Sequence, residues 1–357
     1  MATNHGKNLR LTIFGQSHAE AIGMVLEGFP SGFFVDRETL QQFLNRRAPG
    51  RNSFSTARKE EDQPRFLAGL VENVTCGTPI SAVIFNSDSR STDYEELCRV
   101  PRPGHADYPA FVKYGSAHDV RGGGAFSGRL TASLCIAGGI CLQYLKQNNI
   151  FIAARIASIA SFRDETSGDL SEWLGICRKE FPVLDDRAGA KMRECIASAK
   201  AEGDSVGGIV EASVWGFPAG LGGELYDGLD GKLAAALFAI PGVKGVEFGA
   251  GFEASCLRGS ENNDLYCYEN GTVRTETNRH GGILGGISTG MPITLRVAFK
   301  PTPSIAKPQQ SVDMYSKETV SFCVKGRHDP CIVPRAVPCV EAALAVELTD
   351  SLLDWKG

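Results

Sequence analysis

The chain carries six histidines, and several lie in short polar runs broken by glycine and proline. His105 falls in PRPGHADYPAFVKYGSAHDVRGGGAFSGR, residues 101–129. Arg102 precedes it; Arg121, three glycines, Ser127 and Arg129 follow. An imidazole titrates near neutrality and can give or take a proton. A glycine-rich turn feeding a helix start can aim N–H groups at an anion, and arginine forks grip phosphate or carboxylate through paired bonds. The same stretch also reads as a surface loop with solvated charges and turn glycines, and the residues alone leave both readings open.

Other polar groups recur in similar settings. Ser17 and His18 follow Gly15 between two apolar runs, a place from which side chains can point into a pocket, although a solvated hairpin connection has the same pattern. Arg46, Arg47 and Arg51 cluster around the end of a helix expected from residue 36. They serve either as an anion clamp or as favourable partners of the helix dipole. KPTPS, residues 300–304, and KGRHDPC, residues 325–331, complete the set. No Walker or Rossmann fingerprint, zinc-protease helix motif or nucleophile elbow occurs. His328 and Asp329 are adjacent, but a salt-linked turn explains them better than a metal site. Residue chemistry stops at an enzyme handling a small polyanion with acid–base assistance.

The elements that must position these groups alternate along the whole chain. Periodicity predicts strands over residues 9–14, 21–26, 80–85, 150–159, 208–215, 243–248 and 293–299. It predicts helices from Asp36 to before Pro49, then over 130–144, 187–202, 233–239 and about 337–353. Residues 52–62 read as a charged flap, 161–180 as polar and irregular, 161–186 as the best candidate insertion, and 261–279 as exposed. The mixture indicates an α+β layered fold in one domain over 1–357.

The 357 residues, 43% hydrophobic and 22% charged, suffice for a sizeable core. A net charge of −4 argues against a chain-wide nucleic-acid footprint. Eleven cysteines without a C-x-x-C pair favour neither zinc nor a disulfide framework, and fit small core residues in a reducing cytosol. No apolar run reaches membrane-spanning length, and the start has no apolar signal region, so a cytoplasmic protein is expected.

Seven segments in order, FGQSHAEAIG, RPGHADY with KYG, RGGGAFSGR, GVKGVEFGAGF, NRHGGILGGISTGMPI, KPTPSI and KGRHDPCIVPRAVPCVEA, together resemble the chorismate synthase family over about residues 9–353. The resemblance implies a β-α-β sandwich, antiparallel sheets with helices between them, usually assembled as a homotetramer. It implies loss of phosphate from 5-enolpyruvylshikimate 3-phosphate in an anti 1,4-elimination that yields chorismate, the last step of the shikimate pathway. Reduced FMN is required without net redox change: it lends the substrate an electron and takes it back with the hydrogen. An external flavin reductase would supply that FMN, with NADP as an associated nucleotide; no nucleic acid, membrane or metal is implied.

The resemblance also assigns roles. His18 matches a histidine that protonates the leaving phosphate, and His105 one near the flavin pyrimidine edge. Asp329 matches an aspartate near flavin N5 that assists proton removal, with Ser17 nearby. Arg47, Arg102, Arg129, Arg327 and Arg335 would hold phosphate and two carboxylates, and Arg51 would replace a family arginine that falls near Ser53 here. Flavin contacts map onto Ala125, Phe126, Ser127, Pro241, Gly242, Gly285, Lys300, Pro301, Thr302, Pro303, Ser304 and Arg327. In the first motif Gln16 and Ala19 replace the usual glutamate and glycine, which removes a charge beside His18 and a residue free to adopt positive φ. A non-catalytic anion-binding module and an FMN oxidoreductase are the competing classes.

Overall fold

The computed structural model describes residues 4–50, 60–86, 96–177, 179–324 and 328–356. Helices α1 (Arg37–Arg47), α2 (Asp107–Tyr114), α3 (Thr131–Gln147), α4 (Leu170–Ile176), α5 (Asp186–Ala201), α6 (Leu229–Phe238), α7 (Gly259–Asn262) and α8 (Val333–Lys356) alternate with strands. One five-stranded antiparallel sheet has the spatial order Asn4–His5, Arg10–Gly15, Ala21–Glu27, Ile80–Phe85, Arg65–Ala68. A second has the order Val243–Phe248, Ile293–Phe299, Gly208–Trp215, Phe151–Ile159, Phe162–Arg163. Helix α3 packs on the first sheet, α8 on the second, and the two helices pack on each other with α1 beside them. The expected sandwich with helices between antiparallel sheets is the observed architecture.

Local sequence explains the framing elements. Asp36 accepts hydrogen bonds from the backbone N–H groups of Glu38 and Thr39, so it caps α1 and fixes where Arg47 emerges at the other end. The Ile293–Phe299 strand buries Ile293, Leu295, Val297 and Phe299 and leaves the alternate residues half-buried. Its end delivers the 300–304 loop. Helices α3 and α8 approach so closely that a Cβ on Gly138 would lie 2.4 Å from the Cα of Ala342. Only small residues allow that approach, and it holds the two sheets at one fixed separation through a common core.

Two expectations need correction. Residues 161–180 are not irregular throughout: Asp169 and Glu172 form a capping box for α4, which buries Trp173 and Ile176 near Ala153. Helix α8 begins at Val333 rather than about 337, because Pro338 is tolerated inside it. The stretch 261–279 is exposed as expected, and it contains the hairpin Tyr266–Glu269 with Thr272–Thr275. The flap expected over 52–62 lies mostly outside the described residues.

Candidate active site

The loops at one end of this core surround a cavity of about 560 Å³, within the roughly 300–1,000 Å³ typical of small-molecule sites. The end of α1 brings Arg47, and the chain leading into α3 brings Ala125, Phe126, Ser127 and Arg129. The turn after α6 brings Pro241 and Gly242; Lys300, Pro301, Thr302, Pro303 and Ser304 follow the Ile293–Phe299 strand. Asp329 precedes α8, and Arg335 and Cys339 lie on its first turns. Ser17, Arg102 and His105 close the ring.

Residues 101–107 are a compact charge network. Asp107 accepts from Arg102 Nε at 2.7 Å and Nη2 at 2.8 Å, while Arg102 Nη1 donates to Ser304 Oγ at 3.2 Å. His105 Nδ1 lies 2.6 Å from Asp107 Oδ1, so Nδ1–H donates to that carboxylate and Nε2 is left for other chemistry. Burial pushes the Asp107 carboxyl up, but Arg102 and His105 outweigh it and hold it well below the usual carboxylate range.

A second network joins distant segments. Arg47 donates to Asp62 at 2.7 Å, to Thr131 Oγ1 at 3.1 Å and to the carbonyl of Gly128 at 3.1 Å. Arg129 also pairs with Asp62, donates from Nε to Asn86 at 2.9 Å and lies near Glu60. Arg129 Nη2 is buried with no hydrogen bond among the described residues, a donor suited to an oxyanion. Arg335 pairs with Asp329 at 2.5 Å and donates to the carbonyl of Arg47 at 3.0 Å. Sequence reading missed Glu60, Asp62 and Asp107: the first two lie far along the chain from Arg129 and carry no local signal, whereas Asp107 is five residues from Arg102 and its nearness was the available signal.

Gly122, Gly123 and Gly124 all take positive φ, which bends the backbone tightly beside the imidazoles. Ser17 N–H donates to the Gly124 carbonyl at 3.1 Å and ties the two motifs together. A Cβ on Gly122 would lie 2.4 Å from His18 Cε1 and 2.6 Å from Ser17 Oγ. Gly122→Ala is therefore expected to displace the Ser17–His18 turn and lower turnover by about a hundredfold, with an unchanged far-ultraviolet circular dichroism spectrum. Near-wild-type kinetics would mean that this turn takes no part in the reaction.

Not every candidate converges. His18 packs behind Gly122 and does not line the cavity itself. Gly285 lies away from it, at the tip of the hairpin Ile283–Leu284 with Ile287–Ser288, which is docked instead on the segment before α6 through Ser288 N to Leu221 O and Leu229 N to Gly286 O. Arg51 and Arg327 are outside the described residues. Ala19 does not take positive φ, so replacing glycine there costs no strain.

Fold and cavity together define an α+β enzyme that receives a small polyanion among buried arginines, with acid–base groups beside it. The family model described as chorismate synthase matches residues 9–353. The chorismate synthase of Pyrococcus abyssi is 48% identical over 98% of this chain and 97% of its own length. Those of Korarchaeum cryptofilum and Thermococcus kodakarensis are each 46% identical, covering 98% and 99% of this chain and 96% and 99% of theirs. A crystal structure of chorismate synthase superposes with a TM-score of 0.78 at 28% identity, covering 99% of this chain and 94% of that one. The chain belongs to the chorismate synthase family. Its reaction is the elimination of phosphate from 5-enolpyruvylshikimate 3-phosphate to give chorismate, which makes it a lyase. No helix among the described residues is long and apolar enough to cross a membrane.

Proposed function

We propose that the elimination takes place in this cavity, with reduced FMN bound beside the phosphorylated substrate. One observation carries the reading: Arg47, Arg102, Arg129 and Arg335 converge there with His105, Ser17 and Asp329. The residues present fit the flavin. Gly242, at φ +95°, leaves its wall bare where a Cβ would come within 2.8 Å of Ile332 Cδ1. Thr302 Oγ1 is buried with no hydrogen-bond partner among the described residues, and a polar ring edge would satisfy it. Ala125, Phe126, Ser127, Pro241, Pro301, Pro303, Lys300 and Ser304 would hold the same group, with Arg327 as the family match adds. Reduced FMN supplies, when bound, the transient electron that an unactivated carbon–oxygen bond needs.

The chain supplies the rest. The arginines orient phosphate and carboxylates, and their field stabilises the departing phosphate. His18, which packs against cavity-lining Gly122 beside Ser17, would reach past them to donate a proton to the leaving phosphate oxygen. His105, oriented through Nδ1 by Asp107, would sit at the flavin's pyrimidine edge and favour its anionic form. Asp329, assisted by Ser17, takes part in removing the ring proton. Arg51 adds to the substrate-binding set in place of the arginine missing near Ser53.

The same reading has reduced FMN delivered by an external, NADP-linked flavin reductase and the enzyme working in the cytoplasm as a homotetramer, each chain one functional unit. Exposed Leu225, Tyr226, Phe252 and Tyr268 offer apolar area for self-association to cover. An anaerobic assay with reduced FMN and the enolpyruvyl substrate tests the function. Chorismate and phosphate in equal amounts, with no net flavin oxidation, is the expected result. Flavin oxidation matching product would replace it with an oxidoreductase; tight binding without turnover would leave a binding module.

A further inference from the structure

Helices α3 and α8 are closest where Gly138 meets Ala342. One turn earlier on each helix stand Cys135 and Cys339, close enough for each thiol to act on the other, and Cys339 Sγ donates to the carbonyl of Arg335 at 3.4 Å. Cys135 is fully buried, and its Sγ also lies 3.8 Å from the carbonyl of Pro338. Cys339 is different: it lines the active-site cavity. The cavity groups near it are cationic or hydroxylic, namely Arg47, Arg335 and Thr131.

These are features that favour a reactive cysteine: nearby positive charge, a place in the cavity wall and a second cysteine on the facing helix packed beside Pro338. The neighbouring Cys135 side chain, aided by Arg47 and Arg335, pulls the Cys339 thiol toward its anion against the effect of burial. Burial pushes Cys135 the other way, so it stays protonated and able to donate. The remaining cysteines lack this combination; Cys76, Cys98 and Cys256 are exposed but do not line the cavity.

We propose that Cys339 and Cys135 are a peroxide-sensitive thiol pair in the cavity wall that closes a disulfide and switches the enzyme off. The Cys339 thiolate attacks a hydroperoxide oxygen; the sulfur–oxygen bond forms, the oxygen–oxygen bond breaks and hydroxide leaves. Cys135 then attacks the sulfenic sulfur; the sulfur–sulfur bond forms and a second hydroxide leaves, taking the Cys135 proton as water. The two sulfurs lose two electrons in total, the peroxide gains them, and hydrogen peroxide ends as two waters. A disulfide here removes the Cys339 thiolate from beside Arg47 and Arg335 and ties α3 to α8 where the arginines are anchored. A thiol reductant reverses it.

The test uses the whole protein with hydrogen peroxide and peptide mapping by mass spectrometry. Wild type is expected to lose activity in step with a cross-link joining the peptides that carry Cys135 and Cys339. Dithiothreitol should restore activity, and inorganic phosphate at high concentration should slow the loss. Cys339→Ala, measured against its own untreated rate, is expected to resist inactivation at least tenfold. Cys135→Ala should still react but go on to irreversible sulfinic acid at residue 339. The proposal is overturned if the cross-link never forms while activity falls, or if Cys339→Ala is inactivated as fast as wild type. Because the cross-link is read by mass, this outcome is independent of whether the flavin assignment above is right.

Discussion

Arg129→Ala should lower kcat/KM by at least a hundredfold and destabilise the fold by about 3–5 kcal/mol, the scale for breaking a buried ion pair from one side. Arg129 and Asp62 are both almost fully buried, and Glu60 lies beside them. Removing the guanidinium leaves two carboxylates with Arg47 as the nearby cation and deletes the donor left over for an oxyanion. Chemical denaturation gives the stability change, and steady-state kinetics the catalytic one. Arg129→Lys should recover part of the stability and little of the catalysis, since an ammonium keeps charge without the fork.

The pH dependence has a definite sign. Burial pushes the Asp62 carboxyl up, but Arg47 and Arg129 outweigh it, so its folded-state value is depressed. A depressed carboxylate contributes stability above the unfolded value of about 3.9, and that contribution is lost as pH falls through the lower folded value. Without Arg129 the depression shrinks, so the acid-unfolding midpoint of Arg129→Ala should move to higher pH. A midpoint unchanged from wild type would show that the pairing contributes no net stability.

The second large effect is expected at the imidazoles. His105→Ala should reduce turnover by about a hundredfold or more, the usual loss when an acid–base group is deleted, with the fold retained. The half-buried ring packs on Gly123 and sits between Arg102 and Asp107, so its removal leaves the bidentate Arg102–Asp107 pair in place. His18→Ala should fall by a similar factor. Wild-type rates in both variants would remove the proton-handling roles proposed for them.

Much of this was legible because the signals are local. Asp36 announces a helix start, and the alternation in residues 293–299 a half-buried strand, without knowledge of the rest of the chain. Arg47, Arg102, His105 and Arg129 stood out by residue type in glycine-rich surroundings. The helix at Leu170–Ile176 was missed although Asp169 and Glu172 carry its start signal, because the apolar face is short and the flanks are polar. The start of α8 was set too late because a proline inside a helix ordinarily breaks it. Asp62 could not be found this way: it lies sixty-seven residues from Arg129, and only the folded chain brings them together. Gly285 is the opposite case: its motif is plain, but the hairpin carrying it packs on Leu221 and Leu229 rather than at this cavity.

The Asp62 carboxylate has one more consequence. Before any substrate arrives, two of the arginines in the anion site already hold an acidic side chain of the chain itself. Under the proposed substrate assignment, binding is then an exchange of one negatively charged partner for another, and affinity measures the difference between them. Such a pocket discriminates by the number and spacing of charges a molecule brings: a single carboxylate offers no advantage over the resident one, whereas a phosphate joined to two carboxylates does.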